Sequence, residues 1–180
     1  MKAILILLIT TVVVSNPAFA KCHDLLNFEA TKLRSSETIN FCEAFEGKTL
    51  LVVNTASQCG YTPQFKGLEA LHKEYGDQLA IVGFPSDDFN QEYSDSEKIS
   101  DVCYVNYGVT FTMLEPSSVK GDMANSIFKN LAERTREQPK WNFNKYLISA
   151  DGSDVQYFPS NVAPNNKILM DQIRKNIGLN

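Results

Sequence analysis

The hydrophobic pattern is clearest in two short, unbroken apolar runs, residues 49–56 and 79–85. Runs of this length without alternation are typical of parallel strands that are buried on both faces. Between them, apolar residues recur at helical spacing after Pro63, and Gly76 follows the last of them. Proline is favoured in the first turn of a helix and glycine just after its end. The pattern therefore predicts a βαβ unit, with Thr62 as the N-cap of its helix.

The rest of the pattern adds two antiparallel hairpins and further helices. Alternating residues on both sides of 34–36 predict an N-terminal hairpin, and Asp151-Gly152 between two apolar segments predicts a second one. Further helices are predicted over 94–104, over 123–134 and from Pro164 onwards. This order is typical of a thioredoxin-like α/β fold with an N-terminal β-hairpin and a central mixed sheet flanked by helices. We expect a single domain over residues 21–180.

Residues 1–20 have the pattern of a signal peptide. Lys2 supplies a positive charge, residues 3–14 are a nearly unbroken apolar run, and Ala18-Phe19-Ala20 is a small-x-small cleavage site. The apolar run is short for a membrane span. We therefore expect export with no stable membrane anchor, to a bacterial periplasm in the first instance, with secretion as the alternative.

Composition narrows the possible functions further. The chain has 180 residues, of which 43% are hydrophobic and 21% charged, and this suits one globular domain with its own core. The formal net charge is −4 and no cluster of basic residues stands out, which argues against a nucleic-acid partner. His23, His72 and the cysteines lack zinc-site spacing, so we expect no metal and no other cofactor.

The four cysteines fall into two groups. Cys22 and Cys42 flank the predicted N-terminal hairpin, which would bring them together as a structural disulfide in an oxidising compartment. A second redox pair is the alternative for these two residues. Cys59 follows a buried strand and precedes a helix start, where free N–H groups and the helix dipole favour a thiolate. No C-x-x-C pair accompanies it, which argues against a plain dithiol reductase.

Four blocks, in order along the chain, resemble the glutathione peroxidase family. They are residues 54–64 around Cys59, 83–89, 103–111 and 140–145. The resemblance implies that Cys59 is the peroxidatic residue, at the position where the best-known members carry selenocysteine. Its thiolate would attack a peroxide oxygen, become a sulfenic acid and be recycled by a second thiol.

The resemblance also suggests roles for further residues. Trp141 and Asn142 would donate hydrogen bonds to the thiolate or the peroxide, and the alternative is a core aromatic and a turn residue. Asp88 stands where the family usually has glutamine. Three interpretations are open: Asp88 points away, it is protonated or held by other donors and acts in proton transfer, or Gln91 takes the place of the amide. Cys103 is the candidate resolving cysteine, and a buried structural cysteine is the alternative.

The resemblance implies a thiol peroxidase that reduces hydrogen peroxide and organic or lipid hydroperoxides in the response to oxidative stress. Residues 134–141 are a short stretch where tetrameric relatives carry an insertion, so we expect a monomer with an open active site. A thioredoxin-like protein is the favoured reductant, with glutathione as the alternative. Resolution by Cys103 would require its predicted helix to unwind. An exported thiol–disulfide oxidoreductase and a non-catalytic thioredoxin-fold binding module are the other functions considered.

Overall fold

The computed structural model describes residues 22–179, so the predicted signal peptide lies outside the described residues. Within this range the strands are β1 (Glu29–Thr31), β2 (Thr38–Asn40), β3 (Thr49–Thr55), β4 (Leu79–Pro85), β5 (Thr112–Met113), β6 (Lys145–Ile148) and β7 (Val155–Phe158). The α-helices are α1 (Phe41–Phe45), α2 (Phe65–Tyr75), α3 (Ser96–Ser100), α4 (Ser126–Thr135) and α5 (Lys167–Asn176). Two 3₁₀ turns, Asp24–Leu26 and Thr62–Gln64, and a π-helical segment, Asp101–Asn106, complete the described elements.

The central sheet has the strand order β5-β4-β3-β6-β7. Strands β3, β4 and β5 run parallel, whereas β6 pairs antiparallel with both β3 and β7. The strands β1 and β2 form a separate antiparallel hairpin. The mixed α/β architecture predicted from the hydrophobic pattern is therefore confirmed, including the N-terminal hairpin.

The sheet separates two hydrophobic cores, and β3 contributes to both. Leu51 and Val53 pack in the core that contains residues of α2 and α5. Leu50 and Val52 pack in the other core, with residues of α1 and α4. Because successive side chains of a strand point to opposite faces, a strand covered on both faces needs an unbroken apolar run. This explains the run in the sequence and fixes the strand that leads into Cys59.

Two predicted helices begin later than the pattern suggested. The predictions were a helix over 123–134 and another from Pro164. In the structure, Asn125 accepts a hydrogen bond from the N–H of Phe128, and α4 begins after this cap. Asn166 caps α5 in the same way. A side-chain cap fixes where a helix starts, and the apolar spacing alone does not locate it.

The prediction of a continuous α-helix over 94–104 is wrong. Asp95 caps α3, but this helix is short and passes directly into the π-helical segment Asp101–Asn106. Here the N–H of Tyr107 donates to the carbonyl oxygen of Val102, five residues earlier. The wider turns of this segment carry Cys103. The helix that would carry the resolving cysteine is therefore irregular where that residue lies.

The N-terminal hairpin is closed by the disulfide Cys22–Cys42, whose Cα atoms are 5.8 Å apart. This confirms the predicted pairing. Cys42 lies on α1, a helix that the sequence analysis missed because five residues are too few to show a helical period. Asn40 caps α1, and Phe41 and Phe45 are buried. Among the described residues, no helix is long and apolar enough to cross a membrane.

Candidate active site

Cys59 lies in the turn between β3 and the 3₁₀ turn that precedes α2, and only 7% of its surface is exposed. Its Sγ accepts a hydrogen bond from the backbone N–H of Tyr61 at 3.3 Å. Its own N–H donates to the hydroxyl of Thr62 at 3.1 Å. That hydroxyl lies 2.8 Å from the carbonyl oxygen of Ala56. The predicted N-cap role of Thr62 is therefore wrong, because its side chain closes the Cys59 turn instead of capping the helix.

An open depression of about 610 Å³ borders Cys59. One side is formed by the Cys59 turn and the start of α2, including Lys66. The other side is formed by Val102 and Asn106 of the π-helical segment that carries Cys103, and by Tyr107, which follows that segment. The sulfur of Cys59 thus receives a backbone N–H and lies at an opening large enough for a small substrate.

Cys103 is a free cysteine that packs in the same hydrophobic core as Cys59. It is 1% exposed, and burial raises the pKa of its thiol to about 12. Its Sγ lies 3.6 Å from the carbonyl oxygen of Ser100, in the preceding turn. In this state Cys103 is a protonated, shielded thiol, so it would have to move before it could act as a nucleophile.

Trp141 and Asn142 lie in a turn that leads into β6 and is tied to the end of β3. The side chain of Asn54 donates to the carbonyl oxygen of Trp141 at 3.0 Å and accepts from the N–H of Asn144 at 2.9 Å. Phe143 has a positive φ of 60°, which is unusual for an aromatic residue. The hydrogen bonds of Asn54 hold the backbone of this turn, from which the side chains of Trp141 and Asn142 extend.

The structure connects Asn142 to the Cys59 turn through Gln91. The Nδ2 of Asn142 donates to the Oε1 of Gln91 at 3.0 Å, and the backbone oxygen of Gln91 accepts from the N–H of Gln58 at 2.9 Å. Asn142 is fully buried, and its Oδ1 has no hydrogen-bond partner among the described residues. Such an atom is rare among the buried polar groups of folded proteins.

Trp141 is 41% exposed and packs against Phe89, with ring centroids 5.5 Å apart. The ammonium of Lys120 lies 4.1 Å from the centroid of the Phe89 ring. The indole is thus held at the protein surface by its contact with Phe89 and stays partly exposed.

Asp88 makes its contacts in a different place. Its carboxylate accepts hydrogen bonds from the hydroxyl of Ser118 at 3.0 Å and from the N–H groups of Val119 and Lys120 at 2.6 and 3.1 Å. These donors belong to the segment between β5 and α4. Of the alternatives raised by the sequence, the contact to Asn142 is made by Gln91, while Asp88 anchors this segment.

Glu92, which no sequence motif singles out, is buried beside the Cys59 turn. Its Oε1 accepts hydrogen bonds from the N–H groups of Ser57 at 3.1 Å and Tyr93 at 2.9 Å. Burial raises the pKa of its carboxyl, and the hydrogen bonds partly oppose that shift. Glu92 lies in a polar loop, and nothing in its sequence surroundings distinguishes it from a solvated acid.

Comparison with known proteins identifies the family of the chain. A model of the family described as glutathione peroxidase matches residues 25–132, which is more than half of the chain. The chain belongs to the glutathione peroxidase family. A glutathione peroxidase of Lactococcus lactis is 39% identical over 155 residues, which cover 83% of this chain and 96% of that protein. A glutathione peroxidase-like peroxiredoxin of Chlamydomonas reinhardtii is 46% identical over 125 residues, which cover 66% of this chain and 77% of that protein.

Solved structures show the same fold. The apo crystal structure of Trgpx is 30% identical with a TM-score of 0.66, covering 86% of this chain and 95% of that one. A disulfide oxidoreductase secreted by Mycobacterium tuberculosis has a TM-score of 0.56 at 16% identity, covering 86% of this chain and 96% of that one, and shares the fold alone. The predicted thioredoxin-like fold and the family are thus confirmed, and the chain is a glutathione peroxidase-like enzyme of the cysteine type.

Proposed function

We propose that this enzyme is an exported thiol peroxidase that reduces hydrogen peroxide and organic or lipid hydroperoxides in the response to oxidative stress. The observation that carries the proposal is the environment of Cys59, whose sulfur accepts a backbone N–H and borders an open depression. Among the relatives, one of Synechocystis named hydroperoxy fatty acid reductase is 42% identical over 132 residues, which cover 67% of this chain and 78% of that protein. That name supports an organic hydroperoxide as substrate.

The first step is attack by the Cys59 thiolate on one peroxide oxygen. A sulfur–oxygen bond forms, the oxygen–oxygen bond breaks, and sulfur is oxidised by two electrons to a sulfenic acid. The leaving alkoxide or hydroxide takes up a proton and departs as an alcohol or water. The indole N–H of Trp141 and the amide of Asn142 would orient the peroxide, and Gln91 would hold that amide in place.

The second step regenerates the thiol. The Cys103 thiol would lose its proton and attack the sulfenic sulfur, so that a disulfide forms and water leaves. This requires the π-helical segment to open, because Cys103 is buried in the resting state. A dithiol protein of the thioredoxin type would then reduce the disulfide, and glutathione is the alternative reductant.

We also propose the compartment and the oligomeric state of the enzyme. The disulfide Cys22–Cys42 suits an oxidising compartment. The signal-like residues 1–20 suit export to a bacterial periplasm, with secretion into the medium as the alternative. We propose a monomer, on the ground of the short stretch 134–141. A reductant would have to be present in the same compartment.

The test is peroxide consumption by the purified mature chain with thioredoxin or glutathione in excess. We expect turnover with hydrogen peroxide and a lipid hydroperoxide, and loss of turnover in Cys59→Ser. An insulin-reduction assay on the same samples tests the alternative thiol–disulfide oxidoreductase. Absence of peroxide consumption by the wild type with either reductant would refute the proposal, and reduction of insulin in its place would favour the alternative.

A further inference from the structure

Lys145 is a fully buried lysine at the start of β6, three residues after Asn142, and 0% of its surface is exposed. Its ammonium donates to the Oε1 of Gln64 and to the carbonyl oxygen of Val162 at 2.7 Å, and it lies 3.5 Å from the carbonyl oxygen of Ser160. All three acceptors are neutral. Buried lysines are normally paired with an acid, so this one calls for an explanation.

The acceptors of Lys145 connect the segment that follows Cys59 to the turn that carries Asn142. Gln64 ends the 3₁₀ turn that follows Cys59, and its Nε2 donates to the carbonyl oxygen of Ser160 at 2.7 Å. The hydroxyl of Ser160 donates to the backbone oxygen of Asn142 at 2.6 Å. A continuous set of buried and partly buried hydrogen bonds thus runs from the 3₁₀ turn that follows Cys59 to the turn that carries Asn142.

We propose that Lys145 is a positioning residue for the peroxidatic step. Its ammonium, bound to Gln64 and Ser160, holds the 3₁₀ turn that follows Cys59 in a fixed position relative to the turn that carries Asn142. The inference rests on the proposed function, because it assigns Lys145 a part in the same reaction.

Protonation of Lys145 is expected to matter at working pH. Burial lowers the pKa of its ammonium to about 7. The groups that face it are neutral on every side: Gln64 from the 3₁₀ turn, Ser160 and Val162 from the segment after β7, and its strand partners Val53 and Phe158. A neutral amine has two N–H groups for three acceptors and carries no charge. The rate of peroxide attack per Cys59 thiolate should therefore fall as pH rises through about 7.

Stability should change in the opposite direction. Between the lowered pKa of folded Lys145, about 7, and the ordinary value of 10.5, the unfolded chain binds more protons than the folded one. The free energy of unfolding therefore rises with pH over that window. A residue with only a structural role would give the change in stability without the fall in reactivity.

The experiment measures the single-turnover rate of Cys59 oxidation by hydrogen peroxide from pH 5.5 to 9. Each rate is divided by the fraction of Cys59 that is present as thiolate, measured by ultraviolet absorbance, to give the rate per thiolate. The variants are Lys145→Met, Gln64→Glu and Gln64→Leu, each checked by unfolding in urea. We expect the wild-type rate per thiolate to fall about tenfold with rising pH, as for a reacting group held less firmly. Lys145→Met should be slow at every pH. Gln64→Glu should pair with the ammonium and move the fall by about one pH unit or more upwards.

Gln64→Leu keeps the inference testable if Lys145→Met does not fold, since Gln64 is only partly buried. It should lower the rate per thiolate below neutral pH and flatten its pH dependence. A wild-type rate per thiolate that is constant with pH and equal in the folded variants would overturn the role of Lys145. A wild type that does not react with peroxide at all would instead refute the proposed function, together with the step that Lys145 is inferred to support.

Discussion

Asp88 and Gln91 are three residues apart, yet their side chains bind different parts of the molecule. Gln91 accepts from the amide of Asn142, whereas Asp88 holds the segment after β5. Replacing Gln91 with leucine would leave a buried N–H of Asn142 without an acceptor, at a cost of about 1–3 kcal/mol. We expect Gln91→Leu to slow the oxidation of Cys59 by about tenfold, measured by stopped-flow with hydrogen peroxide.

Asp88→Ala is the matched control for Gln91→Leu. It would remove the acceptor of two backbone N–H groups and so lower the free energy of unfolding by about 1–3 kcal/mol, measured in urea. Its rate of Cys59 oxidation should stay within about threefold of the wild type, because no contact of Asp88 reaches the Cys59 turn among the described residues. If Asp88→Ala oxidised Cys59 more slowly than Gln91→Leu, the result would assign a role in the reaction to Asp88 and contradict this prediction.

Among single residues, Cys59 and the block that carries Asn142 could be located from the sequence, because both lie in short contiguous motifs. The sequence could not decide between Asp88 and Gln91, since that depends on the path of a loop after β4. Glu92 and Lys145 were missed for a related reason. Their burial results from contacts with distant segments, and a charged residue carries no local sign of it.

Among the elements, the segment Asp101–Asn106 departs most from the regular helix that the sequence pattern predicts. It is π-helical, a conformation that is rare and often found at functional sites, and Val105 within it is 74% exposed. It holds Cys103 on its buried side and forms one wall of the depression at Cys59. An irregular, partly exposed segment opens at lower cost than a regular buried helix.

We therefore expect Cys103 to reach Cys59 after oxidation. One equivalent of hydrogen peroxide should lower the intact mass of the reduced-site protein by about 2 Da, the loss of two hydrogens that accompanies one new disulfide. Peptide mapping should place that bond between Cys59 and Cys103. In Cys103→Ser the mass should instead rise by about 16 Da, the signature of a sulfenic acid. A sulfenic acid that persists in the wild type would show that Cys103 is structural.

The hydrophobic pattern predicted the long elements well and their ends poorly. Strands β3 and β4 were visible because burial on both faces requires unbroken apolar runs. The change from α3 to π-helical turns left no such trace, since a shift of hydrogen bonding by one residue hardly alters which side chains are buried. The start of α5 was set by Asn166, whose cap depends on backbone geometry that the pattern does not report.

For the whole molecule, the disulfide Cys22–Cys42 joins the segment before β1 to α1 and so fixes the N-terminal hairpin as a unit. The hairpin is attached to the main sheet by few hydrogen bonds, among them one from the N–H of Leu33 to the carbonyl oxygen of Met113. Closing a loop with a sequence separation of 20 residues is expected to stabilise the protein by about 3 kcal/mol, chiefly by restricting the unfolded chain.

The double variant Cys22→Ser/Cys42→Ser should therefore unfold at lower urea concentration, with a free energy of unfolding reduced by about 3 kcal/mol. Its rate of Cys59 oxidation and its turnover with thioredoxin should stay within about twofold of the wild type, because this disulfide makes no contact with the Cys59 turn among the residues described. The sequence also allowed a second redox pair at these positions. That alternative predicts the reverse, a variant of nearly normal stability that loses turnover with thioredoxin while keeping its first oxidation, so the two measurements together separate a structural bond from a catalytic one.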